Sequence, residues 1–237
     1  MFAVFESHPT DLESHLNEFE GLLDPEASQR LMVSILDGLT FLDLQDIEHW
    51  DIKPNNVLVS ACGLCVLADL GESLTKLPKD RMFVLHRDLQ AGNRVYRAPE
   101  VLNAMLPFVS VATTVPMDLS GQASFEAGML FGFMILRRLP LIEYPEAFFK
   151  RHDGPAGDKY YKYTRADICV LTEDEQRALE TAGYSLDVIA LICDMLDPDK
   201  GRRPSLAVFR ERLLVLLDPS VVNRVRTMVS YCWMISL

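Results

Sequence analysis

The pattern of apolar and polar positions divides the chain into short extended runs near its start and longer helical stretches after them. Met1-Phe2-Ala3-Val4-Phe5 reads as a short buried strand. Glu6-Ser7-His8-Pro9 follows as a connector in which the proline, lacking an amide hydrogen, blocks further pairing. Thr10 or Asp11 is placed to cap a helix running to about Leu23. Asp24-Pro25-Glu26 starts the next helix with an N-cap, a proline in the first position and an acid in the first turn. Leu31, Ile35, Leu36, Leu39 and Leu42 then keep helical spacing and predict a buried stripe. That helix delivers the chain to a tight polar loop, His49-Trp50-Asp51-Ile52-Lys53-Pro54-Asn55-Asn56. Beyond it, Val57-Leu58-Val59 and Cys65–Ala68 predict the strands of a hairpin, with Ala61-Cys62-Gly63-Leu64 as its turn.

Further along, Glu72 to Gly92 is polar, mixed in charge and aperiodic, the pattern of a mobile surface loop. Asp118 to Leu136 is apolar on nearly every face, with Phe125, Gly128, Met129, Phe131 and Phe133 among its residues, and a helix of that kind belongs at a protein's centre. Leu139 to Thr164 is irregular, and Tyr160, Tyr161 and Tyr163 read as packing rather than a binding patch. Thr172-Glu173-Asp174-Glu175 has the form of a capping box. Leu186–Leu196 and Leu206–Leu217 predict two amphipathic helices, and the tail 218–237 predicts another, ending in an apolar cluster.

Composition narrows the function classes. The 237 residues are about half apolar and a quarter charged, the make-up of a globular protein long enough to bury a core. A net charge of −11 argues against nucleic acid or an anionic membrane as partner, since both select clustered Lys and Arg. No apolar run approaches the roughly 20 residues needed to span a bilayer. Glu6 and Asp11 come too early for a signal peptide. Five cysteines at irregular spacing make no disulfide framework, so a reducing, cytoplasmic setting is expected. Cys62 and Cys65 lack a second Cys or His pair that would complete a zinc site.

The candidate chemistry lies at one end of the predicted hairpin. The loops before and after it bring Asp51, Lys53 and Asn56 towards Asp69. Two carboxylates, an amide oxygen and an ammonium suit Mg²⁺ on a polyphosphate, because the metal prefers hard oxygen donors and the lysine offsets phosphate charge.

These residues resemble the catalytic and metal loops of eukaryotic protein kinases. The family's H-R-D-L-K-P-x-N stands here as His49-Trp50-Asp51-Ile52-Lys53-Pro54-Asn55-Asn56, and D-F-G as Asp69-Leu70-Gly71. Gly92-Asn93-Arg94-Val95-Tyr96-Arg97-Ala98-Pro99-Glu100 is similar to G-T-x-x-Y-x-A-P-E, and Arg203-Pro204 follows Asp197-Pro198 as in the family. The resemblance implies a fold that is mainly α with a small β-hairpin: a protein-kinase-like C-terminal lobe (α+β), the small lobe missing except its last strand and hinge. It covers residues 1–217, with 218–237 as a C-terminal helical tail.

The resemblance further implies a serine/threonine protein kinase using ATP and Mg²⁺, with Lys53 marking the serine/threonine version of the loop. Asp51 would orient or deprotonate the substrate hydroxyl, Lys53 would steady the γ-phosphoryl, and Asn56 and Asp69 would hold the metal. Leu58 would form the floor under adenine. Glu6 and His8 would meet the base through their backbones, and Asp11 would reach the ribose unless it serves only as a helix cap. Residues 72–92 would be the activation segment, and Glu100 would pair with Arg203.

Several positions depart from the family pattern. Trp50 replaces an arginine that pairs with an activation-loop phosphate, so ordering of the Ser73 and Thr75 region by phosphate has lost its usual partner. Ala123 falls where the buried helix carries an aspartate, with Asp118 a doubtful substitute. Asn93 replaces a threonine. No glycine-rich loop, strand lysine or helix glutamate is present. Expected, therefore, is a truncated kinase domain with little activity alone, acting on a protein substrate or meeting a regulatory protein, with a possible partner covering its exposed small-lobe side. A pseudokinase interaction module is the alternative, and a small-molecule kinase a lesser one.

Overall fold

A computed structural model describes residues 7–75, 83–85, 93–105, 114–116, 121–141 and 164–216. The expected strand at 1–5, Glu6, Asp118, the tyrosines 160, 161 and 163 and the tail 218–237 lie outside the described residues.

Strand β1 (Thr10–Asp11) leads directly into helix α1 (Leu12–Asn17). Asp11 caps that helix, its carboxylate accepting from the Ser14 N–H. Two expectations are corrected here. Pairing resumes immediately after Pro9, because Thr10 and Asp11 lie opposite Val59 and Leu58. The helix stops at Asn17 rather than near Leu23, and the chain turns away through Gly21 at φ 103°, a conformation that glycine adopts without strain.

Helix α2 (Pro25–Leu44) starts at Asp24, whose side chain accepts from the Ala27 N–H, and its predicted stripe is buried throughout. Strand β2 (Ile47–Glu48) follows, then the hairpin of β3 (Val57–Val59) and β4 (Cys65–Leu67), so that β1, β3 and β4 form one antiparallel sheet. Short β5 (Leu74–Thr75) pairs with β2, a contact without any sequence signal. Strand β6 (Phe83–Leu85) pairs with β7 (Thr114–Pro116), and helix α3 (Pro99–Met105) lies between them in the chain.

Helix α4 (Gln122–Leu136) is the central element. Phe125, Met129, Leu130, Phe131, Met134 and Ile135 are all fully buried on it. It begins at Gln122 rather than Asp118, with Gly121 at φ 87° as its N-cap. After α5 (Glu173–Thr181), helices α6 (Leu186–Met195) and α7 (Leu206–Leu216) pack against it, and α7 also packs on α2. A Cβ on Gly128 would meet Met195 Cβ at 2.6 Å, so the missing side chain sets how closely α4 and α6 approach. The capping box of Thr172 and Glu175 forms as its spacing predicts. The described residues are mainly helical, with small antiparallel sheets.

Candidate active site

The polar loop between β2 and β3 is held from inside. His49 is buried, and its Nε2 lies 3.0 Å from the Ala68 carbonyl, while its Nδ1 lies 3.4 Å from the Asp51 N–H. Only the neutral tautomer with hydrogen on Nε2 satisfies both contacts. Burial, which lowers the imidazole pKa, favours the same neutral form. His49 thereby ties the residue before Asp69 to the loop that carries Asp51.

Asp51 is buried, and both its oxygens are engaged. Oδ2 accepts from Lys53 Nζ at 2.6 Å and from Asn56 Nδ2 at 2.7 Å, and Oδ1 accepts from the Asn93 N–H at 2.9 Å. Asn56 Nδ2 also donates to the Asp51 carbonyl at 2.8 Å. The side-chain amide hydrogens of Asn56 are thus spent on Asp51, which leaves its side-chain Oδ1, distinct from its main-chain carbonyl, as an acceptor. The Ala68 N–H donates to the Asn56 carbonyl at 2.9 Å, so Asn56 and Asp69 leave the hairpin side by side. Asp69 is exposed, in the left-handed region at φ 60°, and its Oδ1 accepts from the Gly71 N–H at 3.3 Å. An amide oxygen and an exposed carboxylate at one hairpin end are hard donors of the kind Mg²⁺ takes, and these residues fit it.

The other expected site residues are spread more widely. Leu58 is half-buried on β3 opposite Asp11. Asp11 accepts at one oxygen from the Ser14 N–H and at the other from the Ser14 hydroxyl, each at 2.9 Å, so its carboxylate is committed to the cap. The Ser14 N–H in particular holds its pKa below the ordinary value. His8 is half-buried just ahead of β1. Arg203 forks onto Glu100 at 2.7 and 2.8 Å, with its Nε on the Asp197 carbonyl at 2.7 Å.

Sequence reasoning passed over a second, buried layer. Trp50 is fully buried with φ 68°, a rare backbone state for a bulky aromatic residue that costs about 1–3 kcal/mol. The Arg97 guanidinium lies over its ring, 3.5 Å from the centroid. Arg97 is itself fully buried, with Nη1 3.7 Å from Glu126 Oε1. Burial lowers the Arg97 pKa and raises that of Glu126, the desolvation of each charge outweighing their mutual attraction. Gln122 Nε2 donates to Glu126 at 2.8 Å, and Gln122 Oε1 accepts from the Ala98 N–H at 2.9 Å. A polar Gln and Glu within the most apolar helix were the available signal.

The protein kinase domain family matches the chain over residues 1–213. The chain belongs to the eukaryotic protein kinase family. It is similar to cyclin-dependent kinases and their relatives, of the serine/threonine type. A 135-residue stretch, 57% of the chain, is 33% identical to Cyclin-dependent kinase D-1 of Oryza sativa subsp. japonica and covers 28% of that protein. A 101-residue stretch, 43% of the chain, is 33% identical to 20% of human Cyclin-dependent kinase-like 2. A 99-residue stretch, 42% of the chain, is 36% identical to 29% of Cyclin-dependent kinase 7 of Caenorhabditis elegans. The chain therefore spans less than a third of the length of each of these relatives. Within this kinase fold, Asp51, Lys53 and Asn56 touch one another, and Asp69 stands beside them. Glu100 and Arg203 form a separate contact that anchors the segment leading to the site.

Proposed function

We propose that these residues form the catalytic wall of a serine/threonine protein kinase, which moves the γ-phosphoryl of ATP to a protein hydroxyl. The observation that carries this reading is the Asp51 carboxylate held by Lys53 and Asn56 beside Asp69. The bond formed is between the substrate oxygen and the γ-phosphorus, and the bond broken joins that phosphorus to the bridging oxygen of ADP. Asp51 receives the hydroxyl proton, or orients that hydroxyl for in-line attack, through an oxygen that still has acceptor capacity. Lys53, already 2.6 Å from Asp51, places its ammonium where negative charge grows on the transferred group. Asn56 and Asp69 would hold Mg²⁺, which when bound neutralises charge on the phosphate oxygens. Leu58 supplies an apolar floor for the base.

The family's glycine-rich loop and strand lysine are not among these 237 residues. Binding of nucleotide by this stretch alone is accordingly expected to be weak, and the surface beside β1 and β3 is where the covering element, or a partner protein, would sit. Trp50 and Ala123, in place of the family's arginine and aspartate, favour a second reading, a kinase-derived interaction module. The test is transfer of labelled phosphate to a generic protein substrate by a form that includes a glycine-rich lobe. Transfer that disappears in Asp51→Asn supports the kinase. Transfer unchanged in that variant rejects the assigned site, and no transfer by the parent form favours the interaction module.

A further inference from the structure

Arg97 is placed between the catalytic loop and the central helix, and contacts both. Its guanidinium covers the Trp50 ring on one side and approaches Glu126 on the other. Gln122 extends the link: Nε2 donates to Glu126, Oε1 accepts from the Ala98 N–H, and the Tyr96 carbonyl lies 3.4 Å from Nε2. At the far end of the same segment the Asn93 N–H donates to the Asp51 carboxylate. The stretch from Asn93 to Ala98 is therefore fastened at both ends, by a part-buried hydrogen bond at Asn93 and a buried one at Ala98.

Trp50 reverses the usual polarity of this position. An arginine side chain there would present a cation and attract an anion, whereas the face of an indole ring is electron-rich and attracts a cation. The cation comes from Arg97, on the segment itself. Trp50, Arg97 and Glu126 are all essentially without solvent exposure, so no phosphate group has access to this contact. A cation removed from water binds an aromatic face more strongly than an exposed one. Glu126, and the equally buried Glu48 nearby, favour the charged guanidinium against the burial that lowers its pKa.

We propose that Trp50 and Arg97 form a built-in lock that orders the Asn93–Ala98 segment against the catalytic loop without a phosphate group, which makes Arg97 a positioning residue for the substrate side of the site. Regulation by phosphate at Ser73 or Thr75 is replaced by a permanent internal cation. The functional meaning of the lock rests on the kinase reading of Asp51, but its existence does not.

The test is amide hydrogen exchange on the phosphatase-treated 237-residue chain, which reads the lock without any catalysis. Peptides spanning 93–98 should be protected, and Arg97→Met should speed their exchange on the order of tenfold or more, as loss of a desolvated cation–π contact implies. Peptides within 25–44 should be unchanged. Because Arg97→Met leaves Glu126 without its cation, Arg97→Met/Glu126→Gln is measured beside it and should give the same local loss with the fold intact. In a Trp233→Phe background Trp50 is the remaining tryptophan, and its emission should change with Arg97→Met. Rapid exchange over 93–98 in the dephosphorylated parent, or protection unchanged in the double variant, would overturn the lock. A form that includes a glycine-rich lobe and transfers no phosphate would count against the kinase reading and leave the exchange result standing.

Discussion

Arg203 and Glu100 meet as two planar forks, with bonds of 2.7 and 2.8 Å, joining the segment that begins α3 to the turn before α7. The arginine side chain is wholly buried, while the glutamate keeps 23% of its exposure. Two further donors of Arg203 go to the carbonyls of Asp197 and Gly121, and its guanidinium lies 5.0 Å from the Phe125 ring centroid. The pair thus ties α3, the start of α4 and the 197–203 turn into one unit.

Glu100→Ala should therefore be costly, because it leaves a buried guanidinium without its carboxylate. Breaking a buried pair by removing one partner costs about 3–5 kcal/mol, and the partial exposure of Glu100 places this case at the lower end. Urea unfolding should show the drop. Adding Arg203→Met to Glu100→Ala should recover part of it, since the uncompensated charge is then gone.

Another ion pair, Arg138–Glu175, carries a pH signature. Hydrogen bonds from Arg138 hold the Glu175 pKa down to about 2 from an ordinary 4.5. The folded state thus binds its proton less readily than the unfolded state. The stabilisation is present above about pH 4.5 and is lost as pH falls toward 2. With Glu175 partly exposed, Arg138→Met should cost up to about 1 kcal/mol at neutral pH. The gap between parent and variant in thermal unfolding should narrow steadily between pH 5 and pH 3. A gap independent of pH would show that Arg138 acts through its bond to the Val170 carbonyl instead.

Much of this architecture is legible in the sequence where the signal is local or strongly periodic. The stripe Leu31 to Leu42 needs only helical spacing, and the capping box at Thr172 needs only neighbours. The hairpin follows from two apolar runs and a glycine turn. The β1 strand was not legible, because two residues gain an extended conformation only from pairing with distant Val59 and Leu58. Asp11 was ambiguous because a carboxylate ahead of an apolar helix looks the same whether it caps or binds. Its bonds to Ser14 show the cap. The Trp50–Arg97–Glu126 layer escaped notice for another reason. Each residue breaks a local rule, and the compensation appears only when chain segments far apart meet in the core.

The 237-residue chain itself should bind Mg²⁺ and ATP poorly. On the kinase reading, Leu58 would offer one wall for adenine, and without a lid water would screen the charges of Lys53 and a bound metal. Titration calorimetry should give no saturation below millimolar nucleotide. Micromolar affinity with phosphate transfer would mean that these residues form a self-sufficient kinase.

The most direct test of the assigned site separates its two aspartates, in a form that includes a glycine-rich lobe. Nucleotide affinity and single-turnover phosphate transfer are measured for the parent, Asp51→Asn and Asp69→Asn. Asp51→Asn should keep Mg·ATP affinity within a few-fold while transfer slows by about 10²–10⁴, the range for loss of a positioned acid–base group. Asp69→Asn should lose the Mg²⁺ dependence of binding together with transfer. Equal loss of affinity in both variants, or transfer undiminished in Asp51→Asn, would contradict the assignment of Asp51 to the hydroxyl and Asp69 to the metal.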